Sequence, residues 1–362
     1  MFSSSDHIYM AQALQLAEKG LYSASPNPRV GCVIVNNGKV VGCGWHEKAG
    51  KPHAEINALK LAGTAARGST LYLTLEPCSH HGRTPPCDEA IIEAGIDKVV
   101  IAMNDPNPLV AGRGCELLKK SGIKVQTGLM EEEARILNIG FVTRMTLNRP
   151  WVRMKIAASI DGKTALKNGA SQWITSAPAR RDGHRWRARS CAVLTGIGTV
   201  LKDNPQLTVR DVETPRQPLR VVVDSRLEIE PEARMLRGEG ELIFTANASE
   251  EKISALRNVG AHPIMVANES GGVDLVKMMS KLADYEVNEL LVEAGSKLSG
   301  SLIREGLVDE LIIYLAPCLI GDAAQGMLRL PELQNLSGRH DLRIRDLRMI
   351  GTDIRIIARV GQ

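Results

Sequence analysis

The sequence predicts two α/β domains in series. Three observations carry that expectation. The chain has 362 residues, more than a single hydrophobic core usually serves. Helix-period and strand-period segments alternate through both halves, which implies sheets covered by helices on both faces. Between the halves, Asn148-Arg149-Pro150 breaks the pattern, so we place the domains at residues 1–147 and 148–362.

In the first half, Met10, Leu14, Ala17 and Leu21 recur at helical spacing behind Asp6, which we read as the cap, and Gly20 ends that helix. Residues 30–35 and 40–44 are strand-like, and Asn36-Asn37-Gly38 between them is a hairpin signal. A helix begins at His53, directly after Pro52. Strand, helix and strand follow at 70–75, 88–94 and 98–102. A helix near 116–120, a strand at 123–127 and one helix over 131–144 complete the domain. The second half restarts on the apolar run 151–159. Further strands are expected at 192–196, 219–224, 241–245, 290–293, 310–315 and 354–360.

Composition narrows the function classes. Hydrophobic residues at 44% and charged residues at 24% are ordinary for a soluble globular protein. Aromatics at 3% leave the core to Val, Ile, Leu, Ala and Met. A net charge of +4 suits anionic small-molecule substrates and lacks the clustered basic surface of a nucleic-acid binder. No apolar run reaches membrane-spanning length, and residues 1–6 lack a charged-then-apolar signal pattern, so the expected setting is cytoplasmic, with no membrane partner. Seven cysteines, an odd count without secretory signs, argue for metal ligation or burial over a disulfide framework.

The sharpest signal is His53-Ala54-Glu55 followed by Pro77-Cys78 and by Cys87. One imidazole and two thiolates suit Zn²⁺ and leave a fourth tetrahedral position for water, the layout of a catalytic site. If His53 and Glu55 share the first turn of a helix, both converge beyond its N-terminus. His53 can then hold the metal while Glu55 reaches the water it activates. A carboxylate with a raised pKa can take that water's proton and return it to departing ammonia. The pattern matches the zinc deaminase signature of H-x-E and P-C-x-x-C, in which Glu is not a ligand. It departs in one respect: eight residues, 79–86, separate the cysteines instead of two. Cys32, Cys43, Cys115, Cys191 and Cys318 read as small hydrophobes. His80 and His81 lie in a polar turn and read as substrate-facing or solvated rather than as ligands.

Glu76-Pro-Cys-Ser-His-His-Gly-Arg-Thr-Pro-Pro-Cys87 resembles the riboflavin-pathway deaminases, which carry this same insertion. Ser25-Pro-Asn-Pro-Arg-Val-Gly31 is similar to that family's substrate loop, and the resemblance implies that Asn27 contacts the pyrimidine. The fold it implies for the first domain is a cytidine-deaminase-like three-layer α/β/α sandwich.

By residues alone, the second half offers a glycine-rich turn at 295–300 that could approach phosphate at a helix N-terminus. An arginine-rich stretch at 180–189 reads either as a phosphate clamp or as a solvated helix face. Trp151-Val-Arg-Met-Lys-Ile-Ala-Ala-Ser-Ile-Asp-Gly-Lys163, Ser171-Gln-Trp-Ile-Thr175, Gly196-Ile-Gly-Thr-Val-Leu-Lys-Asp-Asn-Pro205 and Val292-Glu-Ala-Gly295 resemble the riboflavin-pathway reductase domain, a relative of dihydrofolate reductase. With the first half, the resemblance spans nearly the whole chain. It implies NADPH contacts at Ala157, Trp173, Thr199, Asp203 and Ser225, and along the turn Gly295-Ser296-Lys297-Leu298-Ser299-Gly300-Ser301. Implied substrate contacts are Ser171, Arg187, Leu207, Arg210 and Glu293, with Arg187 and Arg210 suited to the sugar phosphate. Lys155 and Glu293 are polar residues where a strand should be apolar, and they read either as catalytic groups or as a structural ion pair. Arg226 is a candidate partner for the 2′-phosphate of NADPH.

The implied activity has two steps. The first is zinc-dependent deamination of 2,5-diamino-6-(5-phosphoribosylamino)pyrimidin-4(3H)-one at C2. The second is NADPH-dependent reduction of the product's ribosyl group to ribityl. The family often assembles through its reductase domain, so a homodimer or larger oligomer is expected. The alternative from another class is a nucleic-acid-editing zinc deaminase with an appended binding domain. It calls for basic or aromatic surface that the composition lacks, and it predicts no NADPH binding.

Overall fold

A computed structural model describes residues 2–79, 86–108, 110–238 and 240–361, and the chain divides into two compact units, Met1–Asn148 and Arg149–Gln362. In the first unit, α1 (Ser4–Glu18) is capped by Ser3, the residue with extended backbone. The Ser3 hydroxyl accepts from the Asp6 amide and the Asp6 carboxylate accepts from the Ser3 amide, a capping box. Asp6 is therefore the third residue of the helix and not its cap, and Leu21 lies beyond the helix end.

β1 (Gly31–Asn36) and β2 (Lys39–Trp45) form a hairpin whose turn residues Asn37 and Gly38 both take positive φ, as the tight hairpin turn demands. The chain continues through α2 (Ala54–Ala62), β3 (Thr70–Leu75), α3 (Cys87–Glu93), β4 (Lys98–Met103), α4 (Arg113–Lys120) and β5 (Lys124–Thr127). The sheet order is β2-β1-β3-β4-β5, with β3, β4 and β5 parallel and β1 antiparallel to both neighbours. Alternate strand residues serve opposite faces. Ile34, Leu71, Leu73 and Ile101 pack with α2, α3 and α4, whereas Val33, Tyr72, Val100 and Ala102 pack with α1 and the helices after β5. The helix expected over 131–144 is two, α5 (Glu131–Leu137) and α6 (Ile139–Leu147), broken at Asn138.

The second unit runs β6 (Trp151–Ser159), β7 (Lys163–Ala165), α7 (Ala177–Arg189), β8 (Ala192–Gly196), α8 (Ile197–Asp203), β9 (Leu219–Val223), β10 (Leu242–Thr245), α9 (Glu250–Asn258) and β11 (His262–Met265). It continues with α10 (Leu275–Asp284), β12 (Glu289–Val292), α11 (Ser296–Arg304), β13 (Glu310–Ala316), β14 (Gln325–Gly326), β15 (Leu342–Ile350) and β16 (Asp353–Val360). Nine strands make the main sheet in the order β11-β10-β9-β8-β12-β6-β13-β16-β15. Every pairing from β11 to β13 is parallel, and the two at the β15 edge are antiparallel. Central β12 is buried along its whole length, as helices on both faces require.

Charge also fixes register. Buried Arg153 of β6 pairs with Glu289 of β12 and Glu310 of β13, its neighbours on either side. Arg149, at the unit's first residue, grips both carboxylate oxygens of Asp309. Among the described residues, no helix is long and apolar enough to cross a membrane.

Candidate active sites

In the first unit, chain direction changes gather three metal-type donors. His53 is the N-cap of α2, with extended backbone, so its imidazole projects beyond the helix start rather than along its side. Cys78 lies just past β3. Cys87 is the first residue of α3, and its amide donates to the Cys78 carbonyl at 3.1 Å. That bond brings the two cysteines together regardless of what residues 79–86 do. The longer spacing therefore leaves the ligand geometry unaffected. His80 and His81 lie outside the described residues.

His53 Nδ1 stands 3.2 Å from Cys87 Sγ and 3.6 Å from Cys78 Sγ, and the three donor atoms lie within 4.8 Å of one another. Zinc with bonds of about 2.3 Å to sulfur and about 2.0 Å to nitrogen sets tetrahedral neighbours roughly 3.5–3.8 Å apart. The donor set fits zinc in kind and in spacing. The Cys87 thiol shares its hydrogen with Cys78, which with His53 nearby holds the Cys78 thiol down to about 4, while Cys87 itself is pushed up. A cation in place of that shared proton would satisfy both sulfurs.

Glu55 lies in the first turn of α2 and is 3% exposed. Burial pushes its carboxyl up to about 7, against the pull of His53. It is suited to both holding and releasing a proton near neutrality.

Asn27 stands at the rim of this site, its Nδ2 3.0 Å from His46 Nε2. His46 was not singled out in the sequence. It is buried, its ring packs edge-on against His53 at 5.3 Å, and its Nδ1 lies 3.3 Å from the Pro52 carbonyl. Burial lowers its pKa, so the neutral ring donates from Nδ1 and accepts the Asn27 amide at Nε2. With Nδ2 on His46, it is the Asn27 carbonyl oxygen that can accept a further hydrogen bond. Nothing in the residues around His46 distinguishes it from a surface histidine after a strand.

In the second unit, a cleft of about 1140 Å³ opens where the parallel strands end. Ala157, Thr199, Asp203 and Ser225 line it, and so does Trp173, which is 69% exposed with the Arg180 guanidinium 4.5 Å over its ring. Gly295, Ser296, Lys297, Leu298 and Ser301 also face the cleft. Ser299 and Gly300 do not: the turn is the start of α11, and helical periodicity puts both on its inner side. Ser299 donates to the Ala294 carbonyl, and a Cβ on Gly300 would stand 2.1 Å from the Arg329 carbonyl oxygen. Arg226 reaches the cleft and pairs with Glu228 at 3.3 Å.

Ser171, Lys155 and Glu293 line the same space. Glu293 takes Arg187 with both oxygens and has Lys155 Nζ at 3.5 Å. Arg187 also donates to the Thr208 carbonyl at 3.0 Å, so its guanidinium is committed to protein partners rather than turned to the cleft. Leu207 is buried in the core, and Arg210 is exposed beside it with its guanidinium on Gln206. Neither Leu207 nor Arg210 lines the cleft.

The comparisons with known proteins follow the same division. Residues 3–103 match the cytidine and deoxycytidylate deaminase zinc-binding region, and residues 150–356 match the RibD C-terminal domain. The riboflavin biosynthesis protein RibD of Escherichia coli (strain K12) is 47% identical, with 96% of this chain and 98% of that protein covered. Among solved structures, Acinetobacter baumannii RibD superposes with a TM-score of 0.92 at 41% identity, covering 99% of each chain. A diaminohydroxyphosphoribosylaminopyrimidine deaminase/5-amino-6-(5-phosphoribosylamino)uracil reductase from Thermotoga maritima superposes with a TM-score of 0.88 at 34% identity, again over 99% of each.

Proposed function

The chain belongs to the RibD family of riboflavin biosynthesis proteins, bifunctional enzymes that join a zinc-binding deaminase to a reductase, and on that premise we propose which residues carry each step. The first substrate is 2,5-diamino-6-(5-phosphoribosylamino)pyrimidin-4(3H)-one. His53, Cys78 and Cys87 would hold zinc, which would supply a water made nucleophilic near neutral pH. Glu55 takes the proton of the water that adds at C2 and returns it to the amine. The C2–N bond breaks, ammonia leaves and a carbonyl remains. Asn27 presents its carbonyl oxygen to the ring. The observation that carries this reading is the convergence of three donors within 4.8 Å beside a buried carboxyl raised to about 7.

In the second unit the cleft would take NADPH, which would supply the hydride for C1′ of the ribosyl group. Ala157, Thr199, Asp203, Ser225 and the head of α11 would hold the cofactor, with Arg226 toward its 2′-phosphate. Lys155 is a cationic group lining the cleft, and Glu293 positions it. Arg187 holds Glu293 in turn. A homodimer or larger assembly through the reductase unit is supported by the apolar side chains that edge strand β15 exposes, Leu342, Ile344, Leu347 and Met349. A reducing, cytoplasmic setting suits the seven free cysteines. The nucleic-acid-editing alternative is not favoured, since the second half matches a reductase family.

The test follows ammonia release and NADPH absorbance together, in wild type and Glu55→Gln. Wild type should do both. The variant should lose ammonia release by at least about 10²-fold and still reduce the pre-deaminated intermediate. A variant that deaminates normally would remove Glu55 from its role.

A further inference from the structure

Asn27 enters the deaminase site from residues 25–29, which belong to no helix or strand. Besides the Asn27 bonds to His46 and to the Ala24 carbonyl, a tie on this segment comes from the last helices of the unit. Asn138, in the break between α5 and α6, is 2% exposed. Its Oδ1 accepts from the Arg29 amide at 2.7 Å and its Nδ2 donates to the Arg29 carbonyl at 2.9 Å. Those are the two bonds a neighbouring strand would make. The Arg29 guanidinium returns to the same corner, donating to the Leu137 carbonyl at 2.7 Å, and reaches the Leu21 carbonyl at 3.4 Å. Between Arg29 and Asn27 stands Pro28, with its φ locked, and Pro26 lies on the other side. A displacement of Arg29 therefore has few torsions in which to dissipate before it reaches Asn27.

The deaminase zinc-binding region matched here ends at residue 103, so α5 and α6 lie outside it while the Asn27 loop lies inside. We propose that Asn138 is a positioning residue of the deaminase: by holding both backbone groups of Arg29, it sets where Asn27 meets the pyrimidine. This rests on the role given to Asn27 above. The break between α5 and α6 then has a purpose beyond ending a helix, since it turns the Asn138 side chain inward onto the loop.

The test uses full-length protein and steady-state deamination, comparing Asn138→Ala and Asn138→Asp with Asn27→Ala. Zinc content and the reductase rate are measured on the same samples. A ring-binding contact serves ground and transition states alike, so its loss raises KM and spares kcat. We expect KM to rise about tenfold in Asn27→Ala and Asn138→Ala, on the scale of one or two lost hydrogen bonds. Asn138→Asp keeps the acceptor for the Arg29 amide, so its rise should be smaller. Throughout, kcat should stay near wild type, with one zinc retained per chain.

Wild-type KM in both Asn138 variants, beside a raised KM in Asn27→Ala, would overturn the inference and leave the Asn27 role standing. Wild-type KM in all three would overturn both. Lost zinc with a fallen kcat in Asn138→Asp would mark a merely structural residue and also overturn it. Should Asn138→Ala fail to fold, Asn138→Asp supplies the KM readout by itself, because it loses the bond to the Arg29 carbonyl while keeping the acceptor for the Arg29 amide.

Discussion

Glu293 stands between two cations, with Arg187 on both its oxygens and Lys155 at 3.5 Å. Burial alone would raise its carboxyl, but the charges of Arg187 and Lys155 outweigh that and hold it down to about 2 from its ordinary 4.5. A carboxyl depressed by folding adds stability above its unfolded value, and that stability is lost as pH falls through the folded value. The window here runs from about 4.5 down to about 2. Glu293→Gln leaves Arg187 buried without its counter-ion, a loss of about 3–5 kcal/mol when one partner of a buried pair is removed. In calorimetry the variant's reductase unit should melt well below wild type near neutral pH, and the gap should narrow as pH is lowered from 5 toward 3. A gap that ignores pH would mean that shape, not charge, was lost. At this scale the gathering of His53, Cys78 and Cys87 at the head of the helix that carries Glu55 was legible in residue type and spacing. Asn138 was not, because its partner Arg29 lies 109 residues away and only the fold introduces them.

Immediately after β3, Glu76 binds the head of α4 to the loop that carries Cys78. Its buried carboxylate accepts the amides of Asp105, Gly112 and Cys115 at 3.1, 3.0 and 3.2 Å. Gly114 completes that fit, since a Cβ there would stand 2.3 Å from the Pro77 carbonyl oxygen. Gly114→Ala must therefore move either the helix or Pro77, and Pro77 is followed by Cys78, one of the three metal-type donors. Altered support of a ligand typically costs 10–100-fold in metal affinity. The variant should lose zinc to a mild chelator at least about tenfold more readily and deaminate more slowly, with its reductase rate unchanged. Zinc retention equal to wild type would show that α4 absorbs the shift. Element identity was legible in β3, β4 and β12, where burial imposes a period, but not in α10, whose buried face is equally periodic. β15 was not legible, because its apolar residues are exposed and so follow no core, and α5 and α6 look continuous in sequence. Both flanks of Asn138 carry helical spacing, and the interruption arises from what its side chain bonds to.

Each unit has its own sheet and its own hydrophobic cores on both sheet faces. The α/β class was legible for that reason: parallel strands need crossover helices, and the alternation shows in the sequence. The positions of the reductase contacts along the cleft were less so, because α11 converts a run of seven neighbours into an inner and an outer face. The division has a functional consequence. The three metal-type donors, Glu55 and Asn27 all belong to the first unit, and every residue lining the cleft belongs to the second. A ligand stabilises the fold that binds it, by an amount set by its concentration over its dissociation constant. Stripping zinc should therefore abolish ammonia release and lower the melting temperature of the deaminase unit alone. NADPH should still bind with an affinity within about twofold of the zinc-loaded protein, since a larger change would amount to a coupling free energy between the sites. Titrating NADPH into chelated and zinc-loaded protein measures that coupling directly. Loss of NADPH binding together with zinc would mean that the second fold depends on the first.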